Sequence, residues 1–76
     1  GLVVLDPPRA GAGAEVVRAI ALAAPERIIH VGCDPATFAR DLAGFGEHGY
    51  AVKQMKLIDA FPNTHHFEVI AVLEAV

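Results

Sequence analysis

Proline and glycine punctuate short apolar runs in this chain and divide it into alternating strand and helix patterns. Leu2–Leu5 is a continuous apolar run, and Pro7 and Pro8 close it because they lack backbone donors and cannot sit inside a helix. This predicts a short buried strand. The alanine-rich stretch 14–24 predicts a helix that ends before Pro25.

The second half of the chain repeats the pattern. Arg27–Gly32 is rich in β-branched apolar residues, which predicts a second buried strand. Asp34 is a suitable N-cap and Pro35 a suitable first residue for the next helix, and Gly46 and Gly49 indicate where that helix ends. Two further apolar runs predict strands at residues 50–58 and 67–76.

The order strand, helix, strand, helix, strand, strand predicts an α/β fold with a parallel sheet. The link between the last two strands is too short for a crossover, which needs about a dozen residues, so the last strand is expected to run antiparallel to the third. Two helices cannot easily cover both faces of such a sheet. We therefore expect further parts of the architecture to lie outside these 76 residues.

Composition restricts the classes of function. Hydrophobic residues make up 54% of the chain, which favours a packed domain, yet no apolar run reaches the ~20 residues of a membrane helix. The single cysteine excludes an internal disulfide framework and a zinc site of several thiolates, and it fits a reducing, cytoplasmic location. The net charge is −3 with no basic run, so most phosphate contacts of any RNA-binding role must come from elsewhere.

Polar residues are expected to converge at one edge of the sheet. Ligands of open parallel sheets bind beyond the carboxyl ends of the strands. Asp6 follows the first strand and Cys33 follows the second. Because the last strand is reversed, its amino end, with Glu68 and the preceding Thr64 and His65-His66, should reach the same edge.

Cys33 is the most informative of these residues. It directly precedes a predicted helix N-terminus, where the backbone dipole and free amides stabilise a thiolate, although the neighbouring Asp34 opposes this effect. The position therefore suits a nucleophile. A buried structural cysteine is the competing interpretation.

The other candidates also have two interpretations. Glu68 lies in an apolar run that could desolvate a general base, or it is a strand-end charge that points to water. Asp6 could cap its loop or contact a ligand. His30 is expected to be a hydrogen-bonded core histidine. His65-His66 is a weak metal signal, because adjacent strand residues point to opposite faces.

Three clusters of residues lie in a specific order and spacing along the chain. They are Asp6-Pro7-Pro8-Arg9 with Gly11, Gly32-Cys33-Asp34-Pro35-Ala36-Thr37 with Arg40-Asp41-Leu42, and DAFPNTHHFE at residues 59–68. Together they resemble the carboxy-terminal end of the RNA 5-methyluridine methyltransferases, which modify tRNA or ribosomal RNA. DPP alone occurs in many methyltransferases, whereas the second and third clusters together are specific. Gly32 departs from the many members that carry serine there, and no change in chemistry is expected from it.

The resemblance implies the second half of a Rossmann-like methyltransferase sheet whose last strand is antiparallel. Residues 1–76 would then be part of a catalytic domain, with the glycine-rich cofactor loop and any RNA-binding domain in a missing amino-terminal part. The implied cofactor is S-adenosyl-L-methionine and the implied partner is RNA. Neither a membrane nor a metal is expected, and the isolated chain is expected to be inactive.

The same resemblance implies roles for individual residues. Cys33 corresponds to the nucleophile that adds to carbon 6 of uracil, and Glu68 corresponds to the general base. Asp6 corresponds to an acidic residue at the cofactor. The implied substrate-binding residues are Pro7, Arg9, Thr64 and His66.

Two other functions stay open at this point. The chain could belong to a methyltransferase that acts on an exocyclic amino group of a base, which uses a similar DPP loop but needs no cysteine. It could also be a non-catalytic α/β interaction module. A nicotinamide-binding fold is disfavoured, because Gly11-Ala12-Gly13 lacks the third glycine of that fingerprint.

Overall fold

Strands and helices follow each other in the predicted order. The computed structural model of the protein describes residues 1–58 and 68–76. The elements in these ranges are β1 (Leu2–Leu5), α1 (Ala14–Leu22), β2 (Arg27–Gly32), α2 (Pro35–Glu47), β3 (Tyr50–Leu57) and β4 (Val69–Ala75). The α/β class is therefore confirmed.

The strands form one sheet in the order β1-β2-β4-β3. β1 and β2 are parallel, and β4 runs antiparallel to both of its neighbours, which confirms the reversed last strand. The insertion of β4 between β2 and β3 does not follow from the sequence pattern of alternating elements. It has a physical reason, because β4 buries Val69, Ala71 and Leu73, whereas β3 carries Lys53 and Lys56, which suit an exposed edge strand.

Two helix ends differ from the prediction. α1 ends at Leu22, because Ala24 adopts a left-handed conformation with φ of 52° and the residue before a proline disfavours the helical region. α2 continues through Gly46 to Glu47, so only Gly49, with φ of 88°, marks its exit. The predicted start of the last strand at Phe67 lies outside the described residues.

One face of the sheet carries the core. Helices α1 and α2 pack against it, and the buried cluster contains Val17, Ile28, Phe38, Phe45, Tyr50, Val69, Ala71 and Leu73. Full burial of a side chain such as Phe45 contributes about 1.5–3 kcal/mol. Leu2 and Val4 of β1, on the alternate positions, stay 58% and 61% exposed, so the described helices cover one face only.

Candidate active site at the carboxyl edge of the sheet

The pairing of β2 with β4 brings the surroundings of Cys33 and Glu68 together. Gly32 is paired with Val69, and Cys33 follows Gly32 in the chain while Glu68 precedes Val69. The β2–β4 ladder ends at this pair, so the two residues lie directly beyond it, one on each strand. The N–H of Ile58 donates to the carbonyl of Glu68 at 2.8 Å, so the backbone of Glu68 is also tied to β3.

Cys33 lies between the end of β2 and the start of α2. Its side chain is exposed, which does not fit a buried structural role. Asp34 is the N-cap of α2, as predicted, and its carboxylate accepts a hydrogen bond from the N–H of Thr37 at 3.0 Å. Pro35 is the first helical residue. The local sequence therefore presents a free thiol at the start of a well-capped helix.

Asp6 lies at the same edge, one strand away. Leu5 pairs with His30 in the parallel register, so Asp6 follows β1 about 7 Å short of the level of Cys33 along the strands. Asp6 and Arg9 are exposed and Pro7 is half-buried. An open cleft of about 390 Å³ is lined by Leu5, Asp6, Pro7, Pro8, Gly11, Ala12 and Val16.

Glu68 is exposed. The desolvation that its apolar neighbours in the sequence indicated is therefore not supplied by the described residues. Thr64, His65 and His66, the other candidates near this strand end, lie outside the described residues.

Asp41 is a buried carboxylate to which sequence reasoning gave no role. Only 2% of the residue is exposed, and it accepts hydrogen bonds from the N–H groups of Ala12 at 2.7 Å and Gly13 at 3.2 Å. Burial by itself raises the pKa of Asp41, but these hydrogen bonds and one from Arg40 outweigh it, so the pKa lies below its ordinary value. The sequence held a signal for this role, since position 41 falls on the same helix face as Phe38 and Phe45.

Two more side chains of α2 bind the loop that follows Asp6. The hydroxyl of Thr37 donates to the carbonyl of Arg9 at 2.8 Å, and the guanidinium of Arg40 donates to the carbonyl of Ala10 at 2.7 Å. Gly11, with φ of 83°, is in a conformation that favours glycine. A Cβ atom there would lie 2.6 Å from Arg40 Nη2, so the loop lies directly against the helix.

His30 is packed beneath this loop anchor. Its ring is fully buried, stacks on Phe38 at a centroid distance of 5.1 Å and meets the edge of Phe45 at 6.0 Å. Nε2 lies 3.2 Å from Oδ2 of Asp41, but neither ring nitrogen has a hydrogen bond of good geometry to any described residue. Burial lowers the pKa of His30 although the Asp41 carboxylate opposes this. The predicted core position is confirmed.

Gly32 is required by the packing around Phe38. A Cβ atom at position 32 would overlap the Phe38 ring, so the absence of a side chain lets the ring lie directly against the end of β2. The glycine thus shapes the core next to Cys33.

The opposite edge of the sheet has a cavity of its own. A larger cavity of about 610 Å³ lies at the opposite edge, lined by Gly1, Leu2, Glu26, Arg27, Glu74 and Ala75. Residues 1–58 and 68–76 hold no group of three or more His, Cys, Asp or Glu side chains placed to bind a metal ion. Neither helix in these ranges is long and apolar enough to cross a membrane.

The chain is similar to RNA methyltransferases in sequence and structure. It is 60% identical over 72 residues to an uncharacterized RNA methyltransferase of Corynebacterium diphtheriae, with 95% of this chain and 17% of the relative covered. For a relative of the same description from Thermotoga maritima, identity is 49% over 71 residues, with coverages of 93% and 16%.

A solved structure is also similar. It is the crystal structure of Pyrococcus abyssi tRNA (uracil-54, C5)-methyltransferase in complex with S-adenosyl-L-homocysteine, with a TM-score of 0.79 and 38% identity over 95% of this chain and 17% of that one. The chain thus spans 16–17% of the length of these three proteins. The family model of tRNA (uracil-5-)-methyltransferase matches residues 1–76, and the chain therefore belongs to that family.

Proposed function

We propose that this chain is the part of an RNA uracil-C5 methyltransferase that carries its nucleophile, Cys33, and its general base, Glu68. Family membership supports the reaction class. The spacing of the two residues along the paired strands supports their roles. The relatives are about six times longer, so the proposal concerns the full-length protein rather than the isolated chain.

The observation that carries this proposal is the β2–β4 register. Gly32 lies opposite Val69 in this register. Cys33 and Glu68, which are far apart in sequence, therefore directly continue two neighbouring strands. Cys33 is exposed and Glu68 is exposed, so both side chains are accessible to a base that enters from the carboxyl edge. A uracil base must leave its stack to reach such a site.

The chemistry explains why these residue types are needed. Carbon 5 of uracil is a weak nucleophile. Addition of the Cys33 thiolate to carbon 6 forms a C–S bond and shifts electron density to carbon 5, which becomes an enolate carbon able to accept a methyl group. Glu68 then removes the proton from carbon 5, the double bond re-forms, and the Cys33 thiolate leaves.

The methyl group would come from S-adenosyl-L-methionine, which when bound would supply an electrophilic sulfonium methyl and, after its S–CH3 bond breaks, leave as S-adenosyl-L-homocysteine. The residues present fit one side of such a cofactor, because the Asp6 carboxylate is exposed at the rim of the cleft lined by Pro7 and Gly11. Its negative charge is complementary to a sulfonium. The remaining cofactor contacts, and the phosphate contacts that a net charge of −3 does not favour, are assigned to parts of the protein outside this chain.

The test is a covalent trap with the full-length protein. RNA carrying 5-fluorouridine, added together with S-adenosyl-L-methionine, should yield a denaturation-resistant protein–RNA adduct, because fluorine cannot leave as a cation. Cys33→Ala should form no adduct and lose about 10³-fold or more of its turnover on uridine RNA. Glu74→Gln, at the opposite edge, should form the adduct like wild type.

Glu68→Gln separates the two roles. It should accumulate a covalent adduct even on ordinary uridine RNA, because the methylated base keeps the carbon 5 proton and cannot release Cys33. Retained turnover in Cys33→Ala would contradict the proposal and favour methylation of an exocyclic amino group. An inactive wild-type protein, tested with unmodified tRNA and ribosomal RNA, would favour the non-catalytic module.

A further inference from the structure

The loop of residues 6–13 is an irregular segment that side chains of α2 contact. It begins with Asp6 at the end of β1 and ends at the N-terminus of α1. Only one hydrogen bond between backbone atoms is found within it, from the N–H of Gly11 to the carbonyl of Pro8 at 2.8 Å. Strand pairing ends at Leu5, so something else must hold the loop in place.

That support comes from three side chains on one face of α2. Thr37, Arg40 and Asp41 are spaced as residues i, i+3 and i+4, which places them next to each other on a helix. They bind the carbonyls of residues 9 and 10 and the N–H groups of residues 12 and 13 in turn. The contacts therefore reach four of the last five residues of the loop.

Asp41 makes the strongest of these contacts. Its side chain is 1% exposed, whereas that of Arg40 is 54% exposed. Hydrogen bonds from N–H groups to a buried carboxylate are short and about twice as strong as neutral ones, and they are little screened by solvent. A buried carboxylate without such partners would be costly, so the loop and the carboxylate hold each other.

The same helix also begins at the proposed nucleophile. Cys33 precedes the N-cap of α2, and Asp41 lies about two turns further along the same rigid element. A loop fixed to α2 by Asp41 is thereby fixed relative to the thiol. The loop carries Asp6 and Arg9, whose proposed roles lie at the cofactor and the substrate.

We propose that Asp41 is a positioning residue that holds the 6–13 loop against α2 and so sets the position of Asp6 and Arg9 relative to Cys33. This inference rests on the proposed function. The contact between Asp41 and the loop can also be tested by amide hydrogen exchange, without an activity assay.

The experiment uses the full-length protein as wild type, Asp41→Asn, Asp6→Asn, the double variant, and the control Glu74→Gln. Asp41→Asn keeps the volume of the side chain but removes its charge and turns one oxygen into a donor that faces the loop amides. Amide hydrogen exchange in the peptide that covers residues 9–13 should become at least tenfold faster in Asp41→Asn. In Glu74→Gln it should stay within twofold of wild type.

Kinetics supply the second readout. In methyl transfer to RNA, kcat/KM of Asp41→Asn should fall at least tenfold, since a displacement of about 1 Å of a positioned group can cost about 10²-fold. If Asp41 acts through the loop, adding Asp41→Asn to Asp6→Asn should cost less than threefold more. A merely structural loss would instead multiply the two effects.

The outcomes separate the two proposals. Unchanged exchange in residues 9–13, kcat/KM within twofold of Glu74→Gln, or multiplicative effects in the double variant would each overturn the role of Asp41. A wild-type protein without methyl transfer would overturn the proposed function, and the exchange comparison would still decide whether Asp41 holds the loop. If Asp41→Asn does not fold, Asp41→Glu decides, because it keeps the charge but moves the carboxylate by one methylene group; faster exchange in residues 9–13 and a loss of kcat/KM are expected, and no change in either would overturn the proposal.

Discussion

The two edges of the sheet hold their carboxylates in different ways. At the carboxyl edge, Asp41 is buried and accepts hydrogen bonds from two backbone N–H groups of a loop. At the opposite edge, Glu74 accepts from the guanidinium of Arg27 at 3.0 Å, and the two side chains are 37% and 56% exposed. Arg27 and Glu74 already face each other in the β2–β4 register, so their ion pair positions nothing that strand pairing leaves free.

The difference indicates that the charge of Asp41 fixes the position of a loop, whereas the charge of Glu74 lies at the surface and fixes nothing further. A buried charge is costly unless it is paired, and its value lies in the geometry that its partners must adopt. An exposed pair is screened by water and salt and contributes little. The costly carboxylate lies on the side of Cys33 and Asp6, where atoms must be placed accurately for chemistry.

Replacement of Asp41 by alanine should have the largest effect on stability. It removes the acceptor of the Ala12 and Gly13 N–H groups, so these donors lose their hydrogen-bond partner. It also leaves a buried cavity. Each buried donor that is left without an acceptor costs about 1–3 kcal/mol. Chemical denaturation of the full-length protein, followed by circular dichroism, should show this loss in the transition of the catalytic domain.

A loss below about 1 kcal/mol would remove the distinction between the two edges. The result would mean that water replaces the carboxylate with little cost and that the anchor resembles a surface ion pair. The loop would then have to be held by Thr37 and Arg40.

Gly32→Ser tests whether the core next to Cys33 is packed as tightly as the anchor above it. The new Cβ atom would overlap the Phe38 ring, which must move away from His30. Overpacking of this kind costs about 1–3 kcal/mol. A second change, Phe38→Leu, should offset part of the cost, so the two substitutions should be non-additive in the free energy of unfolding. Full additivity would show that the backbone of β2 moves instead of the ring.

The pH dependence of stability tests the buried groups beside the carboxyl edge without a substitution at Asp41 or Glu74. Burial holds the pKa of His30 below its ordinary value of 6.5, against the opposing carboxylates of Asp41 and Asp6. The unfolded chain therefore binds a proton at this residue first as the pH falls below about 6.5, and the folded state loses stability on acidification. Asp41 acts in the same direction at lower pH, because its pKa in the folded state lies below 3.8.

The expected slope from His30 is at most about 1.4 kcal/mol per pH unit, since one proton is involved. Denaturation midpoints between pH 7.5 and 5.5, roughly one unit on either side of the ordinary histidine pKa, should measure it. His30→Phe should reduce the slope, because it removes the titrating ring and keeps an aromatic side chain between Phe38 and Phe45. An unchanged slope in that variant would assign the pH dependence to other groups.

The sequence predicts the elements of this fold better than it predicts their contacts. Element order, the reversed last strand and the cap at Asp34 follow from local patterns and from the length of one link. The place of β4 between β2 and β3 depends on which strand has two apolar faces to bury, which a list of elements does not contain. Asp41 shows the same limit, since its partners Ala12 and Gly13 are backbone groups that any sequence supplies.

For the candidate site residues, the sequence predicts their location but not their burial. Cys33 and Asp6 could be assigned to the carboxyl edge because each directly follows a strand, and Glu68 because its strand is reversed. The exposure of Glu68 could not be predicted in the same way. Apolar neighbours in sequence alternate between the two faces of a strand, so they do not surround the residue that lies before the strand begins.

Glu74→Gln should have the smallest effect and is the reference for the others. The substitution removes the charge that Arg27 contacts but leaves the β2–β4 pairing of the two residues intact, because that pairing is made by backbone atoms. Exposed pairs of this kind contribute about 0.2–1 kcal/mol, and the loss should shrink further as salt is raised because the pair is screened. The measurement is the free energy of unfolding at low and high salt, in parallel with Asp41→Ala. A loss at Glu74 as large as that at Asp41, or one that salt does not reduce, would show that the opposite edge also depends on a fixed charge, and the carboxyl edge would no longer be distinguished by its electrostatics.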